Sequence, residues 1–353
     1  MHGWAALAPD ITDSELAGWT ARLAPPVAVT GATGFIGTNL LQVLVRSGIR
    51  PRVLVRDPGR LPAELAPAVE VVGGDLLDGA AVGRLADGAA TVLHLAGLVR
   101  APDETSFDRA NRLGTALLVE ALAARAPDAR LVHLSSLAAA GPSREPGGRA
   151  PEDEPSPVSA YGRSKLGGER EVRRHPGPWL VLRPPAVFGP RDIDILQFFR
   201  LAARGLVPVP AGERFVTVAY VADVVRAILA AAAGTGSGHV LHLGEPHPRT
   251  LRALVRAIAA AGGVRARVVP LPAVVVRAAG LGGDLLQRLG FRTVALTSDK
   301  ATELLARHWA ARTGESLAAL GLPGFVPFED GAARTWEWYR QHDWVPRAKM
   351  RAV

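Results

Sequence analysis

"TGATGFIG", residues 30–37, places Gly31, Gly34 and Gly37 at G-x-x-G-x-x-G spacing. The apolar run "PVAVTG" (26–31) leads into it, and the helical pattern "GTNLLQVLVRSG" (37–48) leaves it. Glycines at a strand–turn–helix junction permit a tight turn and a close backbone approach, and the helix N-terminal amides then face an anion such as a pyrophosphate. The turn is therefore expected to hold a dinucleotide through Gly31, Thr33, Gly34, Phe35, Ile36 and Gly37.

Downstream, the same alternation repeats. "RVLVR" (52–56), "VEVVGGD" (69–75), "ATVLHLAG" (90–97) and "ARLVHLSS" (129–136) read as buried strands, separated by helical segments such as "NRLGTALLVEALAAR" (111–125). This order predicts βαβ units with right-handed crossovers, hence an α/β fold with a Rossmann-type doubly wound parallel sheet. After the strand "WLVLRPPAVFG" (179–189) the pattern becomes mixed, with "HVLHLG" (239–244) as a further short strand and the terminal "EDGAARTWEWYRQHDW" as a helix with an aromatic face. The expected organisation is an extension over 1–25 and a dinucleotide domain over 26–183, to which 215–245 returns. A smaller mixed substrate lobe is expected over 184–214 and 246–353. Within the extension, "TDSE" (12–15) has capping-box spacing, and Leu16, Trp19 and Leu23 share a face, so a short docked helix is expected.

Composition narrows the chemistry. The chain of 353 residues has no cysteine, which excludes disulfides, a thiol nucleophile and Cys-ligated metal centres, and its nine histidines lack metal-ligand spacing. The net charge of +8 comes from arginines spread along the whole chain rather than from a basic block, so nucleic acid is not an expected partner. No secretory signal fits residues 1–25, which carry Asp10, Asp13 and Glu15, and no run is long enough to span a bilayer, so the expected location is the cytoplasm. "LPAVVVRAAGLGGDLLQRLG" (271–290) is broken by Arg277, Asp284 and Arg288 and reads as an amphipathic helix, a pattern more often packed in a core than laid on a membrane surface.

Which dinucleotide binds is set by the end of the second strand, where a carboxylate would hold the ribose hydroxyls of NAD. "VLVRDP" (53–58) instead has Val55 at that position and Arg56 next, and a guanidinium suits a 2′-phosphate. NADP is expected, with Asp57 keeping NAD as the alternative. Asp75 in "GGDLLD" (73–78), with Leu76, is expected to meet the adenine, a simple helix cap being the alternative, and Ala96 and Gly97 in "HLAG" (94–97) let the cofactor backbone lie close.

The catalytic candidates lie in "SAYGRSKLGGER" (159–170), where Tyr161 and Lys165 stand four apart in a chain with three tyrosines and three lysines. Chance would produce such a pair about 0.03 times, and on a helix the two share one face. An ammonium and a positive nicotinamide ring beside a phenol would lower its pKa from about 10 and make it an acid/base near neutrality. Ser135 and Ser136 end the preceding strand, where a hydroxyl can hold a substrate oxygen.

In this order, "TGATGFIG", "GGDLLD", "HLAG", "NRLGT", "HLSS", "YGRSK" and "LRPPAVFGP" resemble the extended short-chain dehydrogenase/reductase family over about residues 25–345. The resemblance implies that Tyr161 donates and accepts the proton and that Lys165 binds the nicotinamide ribose. It further implies that Ser136 orients substrate, that Asn111 supports the lysine's relay, and that Pro184 to Val187 border the nicotinamide. "VLVRDP" and "SSLAAAGP" look more like the 3β-hydroxysteroid dehydrogenase and dihydroflavonol reductase branches than the sugar-nucleotide epimerases, which usually have a tyrosine where Ala140 stands. The expected activity is hydride transfer between NADP(H) and a secondary alcohol or ketone. The small-molecule substrate is expected to be hydrophobic, as the "FF" of "DIDILQFF" (192–199) and the 271–290 helix suggest. An NAD-dependent sugar-nucleotide epimerase or dehydratase, and a non-catalytic nucleotide-binding assembly subunit, are the alternatives. Relatives often dimerise through helices matching 111–125 and 160–174, so a homodimer is expected.

Overall fold

A computed structural model describes residues 11–289, 291, 294 and 296–345. Strands β1 (Val27–Thr30), β2 (Arg52–Val55), β3 (Glu70–Gly73), β4 (Thr91–His94), β5 (Arg130–Leu134) and β6 (Trp179–Arg183) join His239–His242 in one seven-stranded sheet. Its order is His239–His242, β6, β5, β4, β1, β2, β3, and every pairing is parallel. The run VAVT of β1 is buried throughout because helices cover both faces. Val27 and Val29 pack into one core layer and Ala28 into the other, as the period of two demands.

One layer holds helices α1 (Asp13–Thr20), α2 (Phe35–Arg46) and the deeply buried Val221–Ala233. The opposite layer holds α3 (Gly79–Ala86), Gly114–Arg125 and Ala160–Val172. Thr12 and Glu15 close a capping box on α1, which docks through Ile11, Leu16 and Trp19 and through the Glu15–Arg226 ion pair at 3.0 Å. Helix Gly114–Arg125 is entered through a π turn, Arg109–Leu113, that carries Asn111. Such turns insert one residue per helical turn and recur at functional positions.

The sheet runs outward from β1 to β3, then restarts at β4 on the other side of β1. The crevice beyond the C-terminal ends of β1 and β4 is the switch point at which doubly wound sheets bind ligands. Residues beyond β6 add short strand pairs, Leu206–Pro210 with Arg267–Leu271 and Ala186–Phe188 with Val218–Tyr220, together with the helices around them.

Two expectations for this region are corrected. Of the "FF" pair, Phe199 is fully buried, edge-on to Trp336 and Tyr339 with ring centroids 5.2 Å away, so it is core rather than a substrate wall. Helix Ala273–Arg288 is not a core helix: its buried side is Val276, Gly280 and Gly283, and its leucines face outward.

Candidate active site

The turn after β1 is closed by a hydrogen bond from the Gly34 amide to the Gly31 carbonyl at 3.0 Å. Gly31 has φ +73°, and a Cβ there would lie 2.6 Å from the Leu95 carbonyl carbon and the Ala96 nitrogen, so β1 and β4 meet edge to edge at the switch point. Gly34 is the N-cap of α2 and provides no side chain to cap its first amides. These amides, in a cradle lined by glycine backbone, fit a pyrophosphate. Thr33, Phe35 and Ile36 are half-buried around them.

Arg56 follows β2 directly and is exposed, while the Asp57 carboxylate accepts from the Gly59 amide at 3.0 Å and caps a short turn. Asp75 accepts from Leu77 N at 2.7 Å, and Asp78 caps α3. Leu76 packs against Gly114. A Cβ on Gly97 would lie 2.9 Å from Asn111 Oδ1 and 3.5 Å from Lys165 Nζ, so the β4 end borders both side chains.

Asn111 is clamped from three sides. Its Oδ1 accepts from Leu98 N at 2.7 Å, and its Nδ2 donates to Leu98 O at 3.0 Å and to Ser164 Oγ at 2.8 Å. The Ser164 hydroxyl donates in turn to Tyr161 O at 2.7 Å, so the π turn is tied to the helix that presents Tyr161 and Lys165. That helix begins at its N-cap Ser159, whose hydroxyl accepts from Gly162 N at 3.0 Å. Lys165 is buried, and its ammonium donates to Leu134 O at 2.8 Å. Burial lowers its pKa to about 8, opposed by the Glu169 carboxylate.

The two serines after β5 diverge. Ser135 is buried and donates to Glu169 Oε1 at 2.5 Å. Ser136 caps the short helix Leu137–Ala140, its hydroxyl accepting from Ala138 N at 3.1 Å, and it lies beside the half-buried Tyr161. The Leu137 amide donates to Pro184 O at 2.8 Å, which brings the start of the "PPAV" segment beside Ser136, and Val187 pairs with Ala219.

The expected lowering of the phenol pKa by Lys165 is not what the chain's own groups produce. Burial pushes Tyr161 up to about 12, the neighbouring Ser136 hydroxyl works to lower it, and the Glu303 and Asp194 carboxylates raise it. The lysine's ammonium is instead turned toward the β5 carbonyl.

Sequence reasoning missed the frame behind these groups. Glu169 and Arg183 form a fully buried, two-pronged ion pair at 2.8 and 2.7 Å, tying the Tyr161 helix to the end of β6. Glu169 lies four residues after Lys165, and that i, i+4 spacing was the available signal. His94, at the end of β4, bridges Thr30 Oγ1 at 2.7 Å and Thr115 Oγ1 at 3.0 Å, and burial lowers its pKa to about 3, so it stays neutral. Thr30 Oγ1 also accepts from Ala96 N, so this buried histidine couples the glycine turn to the Asn111 helix.

A doubly wound sheet with a glycine cradle at its switch point and a Ser–Tyr–Lys–Asn cluster beside it defines an NAD(P)-dependent oxidoreductase of the extended short-chain type. The chain belongs to the NAD dependent epimerase/dehydratase family, whose profile matches residues 27–244. It is 36% identical over 323 residues to a ceramide reductase of Caulobacter vibrioides, covering 91% of this chain and 96% of that one. It is 30% identical to the 4-hydroxy-2-methyl-3-oxo-4-farnesyl-3,4-dihydroquinoline-1-oxide ketoreductase of Stigmatella aurantiaca, covering 86% and 93%. Among solved structures, MoeE5 in complex with UDP-glucose and NAD superimposes with a TM-score of 0.72 at 25% identity, covering 90% of this chain and 99% of that one.

Proposed function

We propose that this protein is an NADP(H)-dependent reductase that interconverts a ketone and a secondary alcohol on a hydrophobic, lipid-like small molecule. The observation that carries the reading is a buried Lys165 whose ammonium borders Gly97 at the end of β4, one helical turn from Tyr161 on the same helix. When bound, the nicotinamide supplies the hydride to the carbonyl carbon. Ser136 Oγ donates to the carbonyl oxygen and holds it within reach of the phenol. Tyr161 Oη then gives its proton to the oxygen as negative charge develops there. A phenol at about 12 is fully protonated at neutral pH, which suits the reductive direction. Lys165, held at Leu134 O, is placed for the ribose hydroxyls, and Asn111 keeps the π turn in register with it.

The exposed Arg56 supports the 2′-phosphate of NADP, because Asp57 is committed to its own turn. The lobe formed by 184–214 and 246–353 is assigned to substrate, and the helices at 111–125 and 160–174 to a homodimer contact. The names of the ceramide reductase and the farnesyl-bearing ketoreductase support an apolar ketone substrate. The likeness to MoeE5 with UDP-glucose favours a second reading, an NAD-dependent enzyme acting on nucleotide sugars.

The test is loss of NADPH absorbance over a carbonyl panel of long-chain 3-ketolipids, ketosteroids, flavanonols and 4-keto nucleotide sugars, repeated with NADH. Turnover of an apolar ketone with NADPH is the expected result. Turnover confined to nucleotide sugars with NADH would overturn the reading.

A further inference from the structure

Helix Ala273–Arg288 is built inside out for a water-soluble chain. Its packed side is small: a Cβ on Gly280 would meet Ala301 Cβ at 2.9 Å and Thr297 O at 3.0 Å, and Gly283 lies against the Leu296 carbonyl. With glycines on the inner face, the bulky residues fall outside. Val274 is 70% exposed, Leu281 65%, Leu285 58% and Leu289 67%, and they recur at helical spacing on one stripe. A contiguous apolar stripe of this kind marks a surface that meets something apolar.

The charges on the helix indicate what that is. Its outward residues include Arg277 and Arg288, both exposed, while its one carboxylate, Asp284, is turned inward to accept from Ser298 N at 3.0 Å. An apolar stripe bordered by arginines, on a chain of net charge +8, complements an anionic lipid surface rather than a basic or neutral partner. Among the described residues no helix is long and apolar enough to cross a membrane, so the helix can lie on a bilayer but not span it.

Its mounting connects it to the candidate site. The segment it packs on, Ser298–Leu305, holds the start of the Tyr161 helix: Asp299 Oδ1 accepts from Ala160 N, and Glu303 Oε1 accepts from Ser159 Oγ, both at 2.7 Å. We infer that Ala273–Arg288 seats the protein on an anionic bilayer surface, one packing layer from Tyr161, so that an apolar substrate passes from lipid to the phenol without crossing water. The delivery role rests on the proposed reductase activity, whereas the docking does not.

The test is flotation of the purified protein with vesicles of phosphatidylglycerol and phosphatidylcholine, and with phosphatidylcholine alone. The wild-type chain is expected to float with the anionic vesicles, and added salt to weaken it. L281S/L285S is expected to lower the partition at least tenfold, and R277E/R288E to abolish the preference for anionic lipid. Both variants should keep wild-type NADPH binding and a wild-type thermal unfolding midpoint, which shows that the fold is intact. A wild-type chain that stays in the aqueous fraction, or variants that float equally well, overturns the inference. So does a vesicle-free wild-type oligomer that L281S/L285S converts to monomers in sedimentation velocity, because the stripe is then a contact between copies. Flotation by a chain that reduces no ketone supports the docking and overturns the reductase reading alone.

Discussion

The Lys165 ammonium donates to the Leu134 carbonyl oxygen at 2.8 Å, from a position fully enclosed between the Tyr161 helix and β5. This one bond holds a charged nitrogen in a place whose burial works against the charge, and its pKa falls from 10.5 to about 8. Below about 8 the ammonium is present; above it the site loses its cation. The kcat/KM for ketone reduction, which reports the free enzyme, should therefore be level on the acid side and fall as pH rises through about 8. Lys165→Arg, whose guanidinium does not titrate there, should remove that limb. A limb unchanged in the arginine variant would assign the titration to another group.

The same shift has a stability consequence. Between about 8 and 10.5 the unfolded chain binds a proton at Lys165 that the folded chain has released, so this residue's contribution makes stability rise with pH across that window. At neutral pH the buried charge costs on the order of 3 kcal/mol. Lys165→Met should therefore raise the urea midpoint while abolishing activity, a trade measurable by equilibrium unfolding at pH 7.

Removal of the phenolic proton should act on the chemical step alone. Tyr161→Phe keeps the ring that lies 5.9 Å from Phe107 and removes only the phenolic hydroxyl. Turnover should fall by roughly a hundred- to ten-thousandfold. NADPH affinity, read by fluorescence titration, should remain within a factor of about two, as expected when an interaction acts in the transition state.

Glu169 and Arg183 are a buried pair in which each neutralises the other. Glu169→Gln leaves a guanidinium unpaired in the core and should cost about 3–5 kcal/mol of unfolding free energy. The double change Glu169→Leu with Arg183→Met removes both charges and should cost much less. If the double variant is as unstable as the single one, the pair contributes mainly through shape.

Arg56 is exposed at the end of β2, and its proposed role is to pair with the 2′-phosphate of NADP. Arg56→Ser should leave the melting temperature unchanged and lower the preference for NADPH over NADH by roughly ten- to a hundredfold, the range of one charge-assisted hydrogen bond. Equal affinity for the two cofactors in the wild-type chain would remove the role assigned to this residue.

Much of the frame was legible in the linear chain because it depends on local spacing. Gly31, Gly34 and Gly37 sit where backbone must approach backbone, the β1 run VAVT is apolar because both sheet faces are covered, and Thr12 with Glu15 caps its helix through neighbours three residues apart. The Tyr161–Lys165 pair was equally readable, since an i, i+4 relation survives in any helix.

What tertiary structure alone decided is which way each of these groups faces and what lies behind it. Ser135 and Ser136 are adjacent and chemically identical, yet one is bound to Glu169 and the other faces the phenol, because the chain turns out of β5 between them. A hydrophobic pattern likewise says that a helix has an apolar side but not that this side is covered. In Ala273–Arg288 the glycines at 280 and 283 allow the tighter contact with 296–301, so close packing takes the glycine face and leaves the leucines outside. Burial is a property of the partner as much as of the residue, and the partner lies elsewhere in the chain.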